Sequence, residues 1–485
     1  MKKILTAIVA LFIILPAFAE SVELPASEAA AQKEQKEGKK KKEVKYNENG
    51  EIIKTGISFG PVPVVAFDSD RGFQYGALLN LYNFGDGSTY PNPKSTWYFE
   101  ASAYTKGSQK YIVNYDKRDL FPGVRMSICT GFYHDKALDF YGFNGYQSVY
   151  DLGLMDFSYD NDERGQKLQA KADAGKFPKA FYRLSRQQVK AKADFTGEIL
   201  KNFYWEAGYN FMWTNINDFH PSGYAVLPQG TTAAPAEPYS LYSLYKAWGL
   251  ISEDEAKGGI TSALRLGLMY DTRNVENNPT RGIWAEAHLS AAPKWLGTKH
   301  DHYKVTATMR QYLPLGTEKL VFAYRLAYQG FLGGKAPWYQ LPFYTNMGPK
   351  ADNDALGGSK TARGLLMNRI QALQTGFYNL ELRWRFVDFR LFNQNIAFAV
   401  NAFQDGAMIF QGLDMSMKNN VTDPVVKAAY TKFVNQNADH KLHMAAGAGI
   451  RFIMNQNFII ACEYAKCFNR QDGNTALYIN TGFLF

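Results

Sequence analysis

Leu477-Tyr478-Ile479-Asn480-Thr481-Gly482-Phe483-Leu484-Phe485 alternates apolar with mixed side chains and stops on an aromatic. Successive side chains of an extended strand point to opposite faces. Leu477, Ile479, Phe483 and Phe485 therefore share one face, and Tyr478, Asn480, Gly482 and Leu484 the other. A soluble sandwich can bury such a strand in its core. A transmembrane barrel fits it better, with the greasy face toward lipid and the mixed face toward a polar lumen. The pattern predicts that Phe485 faces lipid.

The opposite end of the chain supports export. Met1-Lys2-Lys3 is a basic start, Ile4 to Phe18 is apolar, and Ala17-Phe18-Ala19 is an A-x-A cleavage site. Residues 1–19 are therefore read as a signal peptide, cut after Ala19. No cysteine follows that site, so a lipoprotein signal is excluded. The apolar run is shorter than the ~20 residues a membrane helix needs, and no other stretch is as apolar.

Composition favours strands that face water on one side. Aromatics are 15% of residues, glycines number 41, and mean hydropathy is slightly negative. The formal charge of +9 falls to +7 when Lys2 and Lys3 leave with the signal. A basic balance can point to nucleic acid, but export argues against that partner. Cys129, Cys462 and Cys467 are too few for a disulfide framework. The spacing of Cys462 and Cys467 puts them on opposite strand faces.

Residues 20–56 are dominated by Lys, Glu and Gln, with Lys39 to Lys42 in a row. Such a stretch has too few apolar groups to bury, and it is expected to be a disordered periplasmic leader. From Ile57 onward, alternating runs predict sixteen strands: 57–67, 71–84, 95–107, 109–119, 124–135, 178–197, 201–215, 259–273, 280–293, 302–315, 319–332, 373–388, 395–407, 441–455, 457–467 and 475–485. The connections alternate in length. The long ones, 136–177, 216–258, 333–372 and 408–440, all follow odd-numbered strands. Membrane barrels have short periplasmic turns and long outer loops. This parity therefore predicts a barrel over 57–485 with both termini periplasmic. A soluble sandwich has no reason to keep it.

No catalytic or metal motif of the Gly-x-Ser-x-Gly, His-Glu-x-x-His, Walker A or EF-hand kind is present. No enzymatic activity, cofactor or metal is expected. His300 and His302 read as exposed loop histidines. Asp151, Asp156, Asp160, Asp162 and Glu163 read as a solvated acidic loop. One constellation stands out. The loop Gly357-Gly358-Ser359-Lys360-Thr361-Ala362-Arg363-Gly364-Leu365 precedes a strand that carries Glu381 on its lumen face, and the next strand places Asp405 on the same side. If the loop folds inward, Arg363 can pair with both carboxylates through charge-assisted bonds. At the other end of the barrel, Pro61 and Pro63 lack ladder donors. They predict a weak seam between the first strand and the last, with Gly482 adding freedom.

These motifs resemble the barrel of the BamA/TamA superfamily of outer-membrane assembly proteins, also called the bacterial surface antigen family. Tyr270-Asp271-Thr272-Arg273 with Asn278-Pro279-Thr280-Arg281-Gly282 is similar to the mid-barrel signature of the family. Gly60-Pro61-Val62-Pro63-Val64-Val65 resembles its first strand, and Phe140-Tyr141-Gly142-Phe143-Asn144 its third outer loop. Ala362-Arg363-Gly364-Leu365 resembles its sixth-loop motif without the aromatic after glycine. Residues 20–56 cannot hold a periplasmic POTRA module, so the chain looks like the subgroup lacking them. The resemblance implies a Gram-negative outer-membrane barrel that inserts or translocates proteins or lipids. It also implies contact with lipopolysaccharide and with the barrel assembly machinery. Arg363 and Gly364 then form a latch with Glu381 and Asp405, and Tyr478, Phe483 and Phe485 form a terminal assembly signal. The alternatives are a passive pore or receptor, and a structural surface-antigen barrel.

Overall fold

The computed structural model describes residues 46, 52–68, 72–105, 107–150, 179–219, 240–276, 278–349, 353–354, 356–392, 394–455, 458–481 and 484–485. The signal peptide with Ala17 and Ala19, nearly all of the charged leader, the acidic loop, Gly482 and Phe483 lie outside the described residues.

Sixteen long strands are described. They are β1 Ile57–Asp68, β2 Gly72–Asn83, β3 Ser95–Tyr104, β4 Gln109–Phe121, β5 Val124–Asp139, β6 Arg183–Leu200, β7 Phe203–Asp218, β8 Gly258–Asp271, β9 Gly282–Ala292, β10 His302–Thr317, β11 Leu320–Gly334, β12 Gln374–Leu391, β13 Gln394–Gln411, β14 His443–Met454, β15 Phe458–Cys467 and β16 Thr475–Thr481. Each pairs antiparallel with its sequence neighbours, and β1 meets β16 to close the barrel. The connections keep the length parity read from the sequence, with the long ones between β5 and β6, β7 and β8, β11 and β12, and β13 and β14.

Strand phase follows the alternation of side chains. In β8, Leu264, Leu266, Leu268 and Tyr270 are exposed on the outside while Arg265 is buried inside. In β12, Leu382 and Trp384 point out, and Asn379, Glu381 and Arg383 point in. A charge on the lipid face at mid-bilayer costs about 2–4 kcal/mol, which enforces this segregation. No helix among the described residues is long and apolar enough to cross a membrane.

Three features differ from the sequence reading. First, the long loops build a dome that the strand periodicity does not foretell. Short helices α1 Leu241–Ala247, α2 Glu253–Ala256 and α3 Pro424–Phe433 pack with Phe140, Phe143, Trp248 and Trp338 into the largest apolar core among the described residues. Aromatic side chains spread through loops carry no strand or helix period, so the dome is invisible to periodicity. Second, His300 and His302 are buried. His302 opens β10 on its lumen face, and its Nδ1 lies 2.8 Å from the His300 carbonyl oxygen. Third, Phe485 does not face lipid. It is 3% exposed and packs inside the barrel against Tyr312, Val321 and Ala323. The Arg325 and Arg383 guanidiniums lie 5.2 and 4.7 Å from its ring centre, and Arg383 Nη2 donates to its carbonyl oxygen at 3.2 Å. Two lumen-facing cations attract an aromatic face strongly enough to draw the ring inward. Alternation along β16 cannot reveal partners that come from β11 and β12.

Candidate functional site

The connection between β11 and β12 turns back into the barrel. Phe343–Tyr344 pairs with Asn353–Asp354, and Leu356 bridges Ile370. The loop reaches several walls. Lys192 Nζ on β6 and Arg265 Nη1 on β8 both donate to the Asn346 carbonyl oxygen, at 2.9 and 3.0 Å. On β9, His288 Nε2 lies 2.9 Å from Thr345 Oγ1. The tip is tied to itself: Gly357 N–H donates to Thr361 Oγ1 at 2.9 Å, and Gly358 N–H to the Leu365 carbonyl oxygen at 2.9 Å.

The tip delivers Arg363 to the middle of the lumen, with no solvent exposure. Its Nε and Nη2 donate to the two oxygens of Asp405 at 2.8 and 3.0 Å, and its backbone N–H reaches the same carboxylate at 2.9 Å. Nη1 lies 2.6 Å from Glu381 Oε1 and 2.8 Å from Glu463 Oε1. The guanidinium also sits 3.6 Å above the Phe403 ring centre. Bidentate pairing and stacking both exploit the planar fork of arginine, which lysine cannot imitate.

Charge balance makes this burial tolerable. Arg383 Nε lies 2.6 Å from Glu381, and Arg451 Nη2 lies 2.9 Å from Glu463 and 3.4 Å from Glu381. Three arginines, Arg363, Arg383 and Arg451, thus face three carboxylates, Glu381, Asp405 and Glu463. An unpaired charge in this place would be prohibitive. The sequence reading missed Glu463 and Arg451. The available signal was phase, because Glu463 shares the lumen face of β15 with Ala461 and Ala465.

Gly364 follows the arginine at φ 92°, a backbone region that favours glycine. A Cβ there would stand 2.7 Å from that of Ala445 and 3.1 Å from that of Ala465. Gly364 N–H donates to Tyr478 Oη at 3.2 Å. Tyr478 is fully buried, on the lumen face expected for it. The last strand is thereby bonded directly to the loop tip.

The seam lies at the edge of this network. Among the described residues, β1 and β16 share two paired positions, Phe67 with Ile479 and Asp68 with Tyr478. By contrast, β12 and β13 pair from Gln374–Gln411 to Leu391–Gln394. The ladder of β1 with β2 runs from Ile57 to Asp68, past Pro61 opposite Leu79 and Pro63 opposite Ala77. Residues two apart bond to the same side of an antiparallel strand. An unbroken β2 ladder therefore puts the missing donors of both prolines on the edge that faces β16.

This combination defines a class: a sixteen-stranded transmembrane barrel, packed by an arginine-carrying inward loop and closed by a short seam. The family model for the Omp85 superfamily domain matches residues 140–485, and the chain belongs to the Omp85 superfamily, whose barrels sit in the outer membrane. Among solved structures it is similar to BamA from Haemophilus ducreyi lacking POTRA domains 1–3, at 17% identity and TM-score 0.48 over 89% of this chain and 71% of that one. It is also similar to CdiB from Escherichia coli, at 9% identity and TM-score 0.47 over 89% of this chain and 63% of that one. No curated protein matches the chain.

Proposed function

We propose that this barrel inserts or translocates proteins or lipids at the outer membrane of a Gram-negative bacterium through its β1–β16 seam. The carrying observation is that, among the described residues, this seam pairs at two positions, where β1–β2 and β12–β13 form full ladders. Strand edges freed at such a seam carry unpaired backbone groups, and a client strand can add to them. In this reading the termini are periplasmic and the dome faces outward. Lipopolysaccharide surrounds the barrel, and the barrel assembly machinery inserts it. No covalent chemistry is involved. The loop tip with Arg363 and Gly364, held by Glu381 and Asp405, acts as a latch that keeps the wall round while the seam moves. A lumen filled by this loop argues against the passive-pore alternative, and a weak seam has no use in a purely structural barrel.

The test is a lock. Phe67→Cys with Ile479→Cys, in a background where Cys129, Cys462 and Cys467 are alanine, joins directly opposed positions of the seam. Crosslinked barrels are expected to stay folded and to lose their contribution to outer-membrane protein or lipid content in cells, with recovery on reduction. Full activity in the locked form would return the reading to a structural barrel.

A further inference from the structure

The residues just before β1 lie across one arc of the short-turn mouth. Gly56 N–H donates to the Gly85 carbonyl oxygen at 2.7 Å, and Phe84 N–H donates to the Gly56 carbonyl oxygen at 2.8 Å, which ties this end to the turn after β2. Four residues earlier, Ile52 N–H donates to Asn395 Oδ1 at 3.3 Å, and Lys54 Nζ donates to Gln394 Oε1 at 3.3 Å. Both acceptors stand at the start of β13. Ile52 is buried there, and the Arg390 guanidinium of β12 lies 4.9 Å from the Tyr46 ring centre.

The order of strands gives this path its meaning. From β2 to β13 the short way round, the wall runs through β1, β16, β15 and β14. The seam therefore lies inside the arc between the two anchors. We propose that residues 52–56 are a strap across the seam that limits how far it opens. This rests on the reading that the seam opens at all.

Four Cα steps, fully extended, reach about 14 Å. Parting β1 from β16 carries the β2 turn away from the start of β13, so the strap must give way at its weaker end. That end is held through the side chains of β13, with the Ile52 N–H on Asn395 Oδ1 and Lys54 Nζ on Gln394 Oε1, whereas the Gly56 end is a reciprocal backbone pair. Ile52 and Lys54 are therefore the release points.

The experiment uses the full chain in liposomes, with the three native cysteines replaced by alanine. Spin labels go on Phe59→Cys in β1 and Tyr464→Cys in β15, both exposed on the outer face. Distance distributions are compared for the parent, for Lys54→Ala, and for an insertion of Gly-Ser-Gly-Ser between Thr55 and Gly56. The insertion leaves every anchoring side chain in place and only adds length. A several-fold rise in the long-distance population is expected for the insertion, with a smaller rise for Lys54→Ala. Equal long-distance populations with and without the insertion would overturn the strap and leave the moving seam standing. A single short distance in all three would overturn the strap and the moving seam together.

Discussion

Arg363 grips Asp405 at three points, with Nε and Nη2 on the two carboxylate oxygens and the backbone N–H on one of them, at 2.8 to 3.0 Å. Side chain and main chain of one loop residue converge on one strand residue. The contact therefore fixes the position of the loop as well as the orientation of its side chain.

Removing the arginine leaves Asp405, Glu381 and Glu463 with two arginines between them. Breaking a buried pair by deleting one partner costs about 3–5 kcal/mol. Arg363→Ala is expected to lower the heat resistance of the folded barrel, measured by gel mobility after graded heating. Arg363→Lys restores the charge but neither the fork nor the stacking on Phe403, and it should fall between. If alanine and lysine variants both melt like the parent, the arginine does not hold the loop.

The sequence analysis singled out Asp405 and passed over Glu463, which predicts nothing about their relative weight. Glu463 receives Arg363 and Arg451 together, at 2.8 and 2.9 Å. Glu463→Ala is expected to destabilise on the same scale as Arg363→Ala, about 3–5 kcal/mol. The double variant should cost much less than the sum, because contacting residues couple. Full additivity in heat-resistance measurements would show that the two do not act as a pair.

The wall of the barrel was readable because its determinants are local. Period-two alternation sets the facing of each strand, and connection length sets parity. Leu264 to Tyr270 and Tyr378 to Phe386 show the alternation in a few residues. The Arg363 cluster was partly readable, because Glu381 and Asp405 each declare a lumen phase. What sequence hid is what depends on closure. Arg325 and Arg383 meet Phe485 only after β11 and β12 come round beside the end of β16. The aromatic dome joins segments as far apart as Phe140 and Phe433, with no repeat to advertise it.

Gly364 tests whether the loop tip is a close fit. Alanine would take the φ of 92° and bring its Cβ to 2.7 Å from that of Ala445. A non-glycine residue in such a backbone region costs on the order of 1–3 kcal/mol. Gly364→Ala is expected to weaken the Tyr478 contact and to lower heat resistance, by less than Arg363→Ala does. A parent-like melting midpoint would mean that the tip has room to shift.

The seam makes the opposite kind of prediction, a gain in order. Pro61→Val with Pro63→Val returns two backbone donors to the edge that faces β16. Hydrogen exchange of β16 amides should slow in the double variant, and assembly or translocation activity should drop while the barrel stays folded. Unchanged exchange in β16 would show that the short pairing has a cause other than the prolines.

Phe485 separates two pictures of the last residue. A lipid-facing ring would be covered by detergent as well as by lipid, so Phe485→Ala would barely change the stability of a detergent-refolded barrel. A ring buried between Arg325 and Arg383 behaves like a core phenylalanine, for which truncation to alanine costs about 3–5 kcal/mol. Truncation also takes the Phe485 ring from the Arg383 guanidinium, which keeps the Tyr312 ring and its bond to Glu381. Phe485→Ala is therefore expected to lower the thermal midpoint in detergent substantially, with Phe485→Leu recovering part of the loss through its apolar volume. Insertion in cells is a separate readout. A signal read before the barrel closes would make both variants insert poorly, whereas a packing role alone would let the leucine variant insert nearly as well as the parent. A detergent midpoint unmoved by Phe485→Ala would place the ring back on the lipid face.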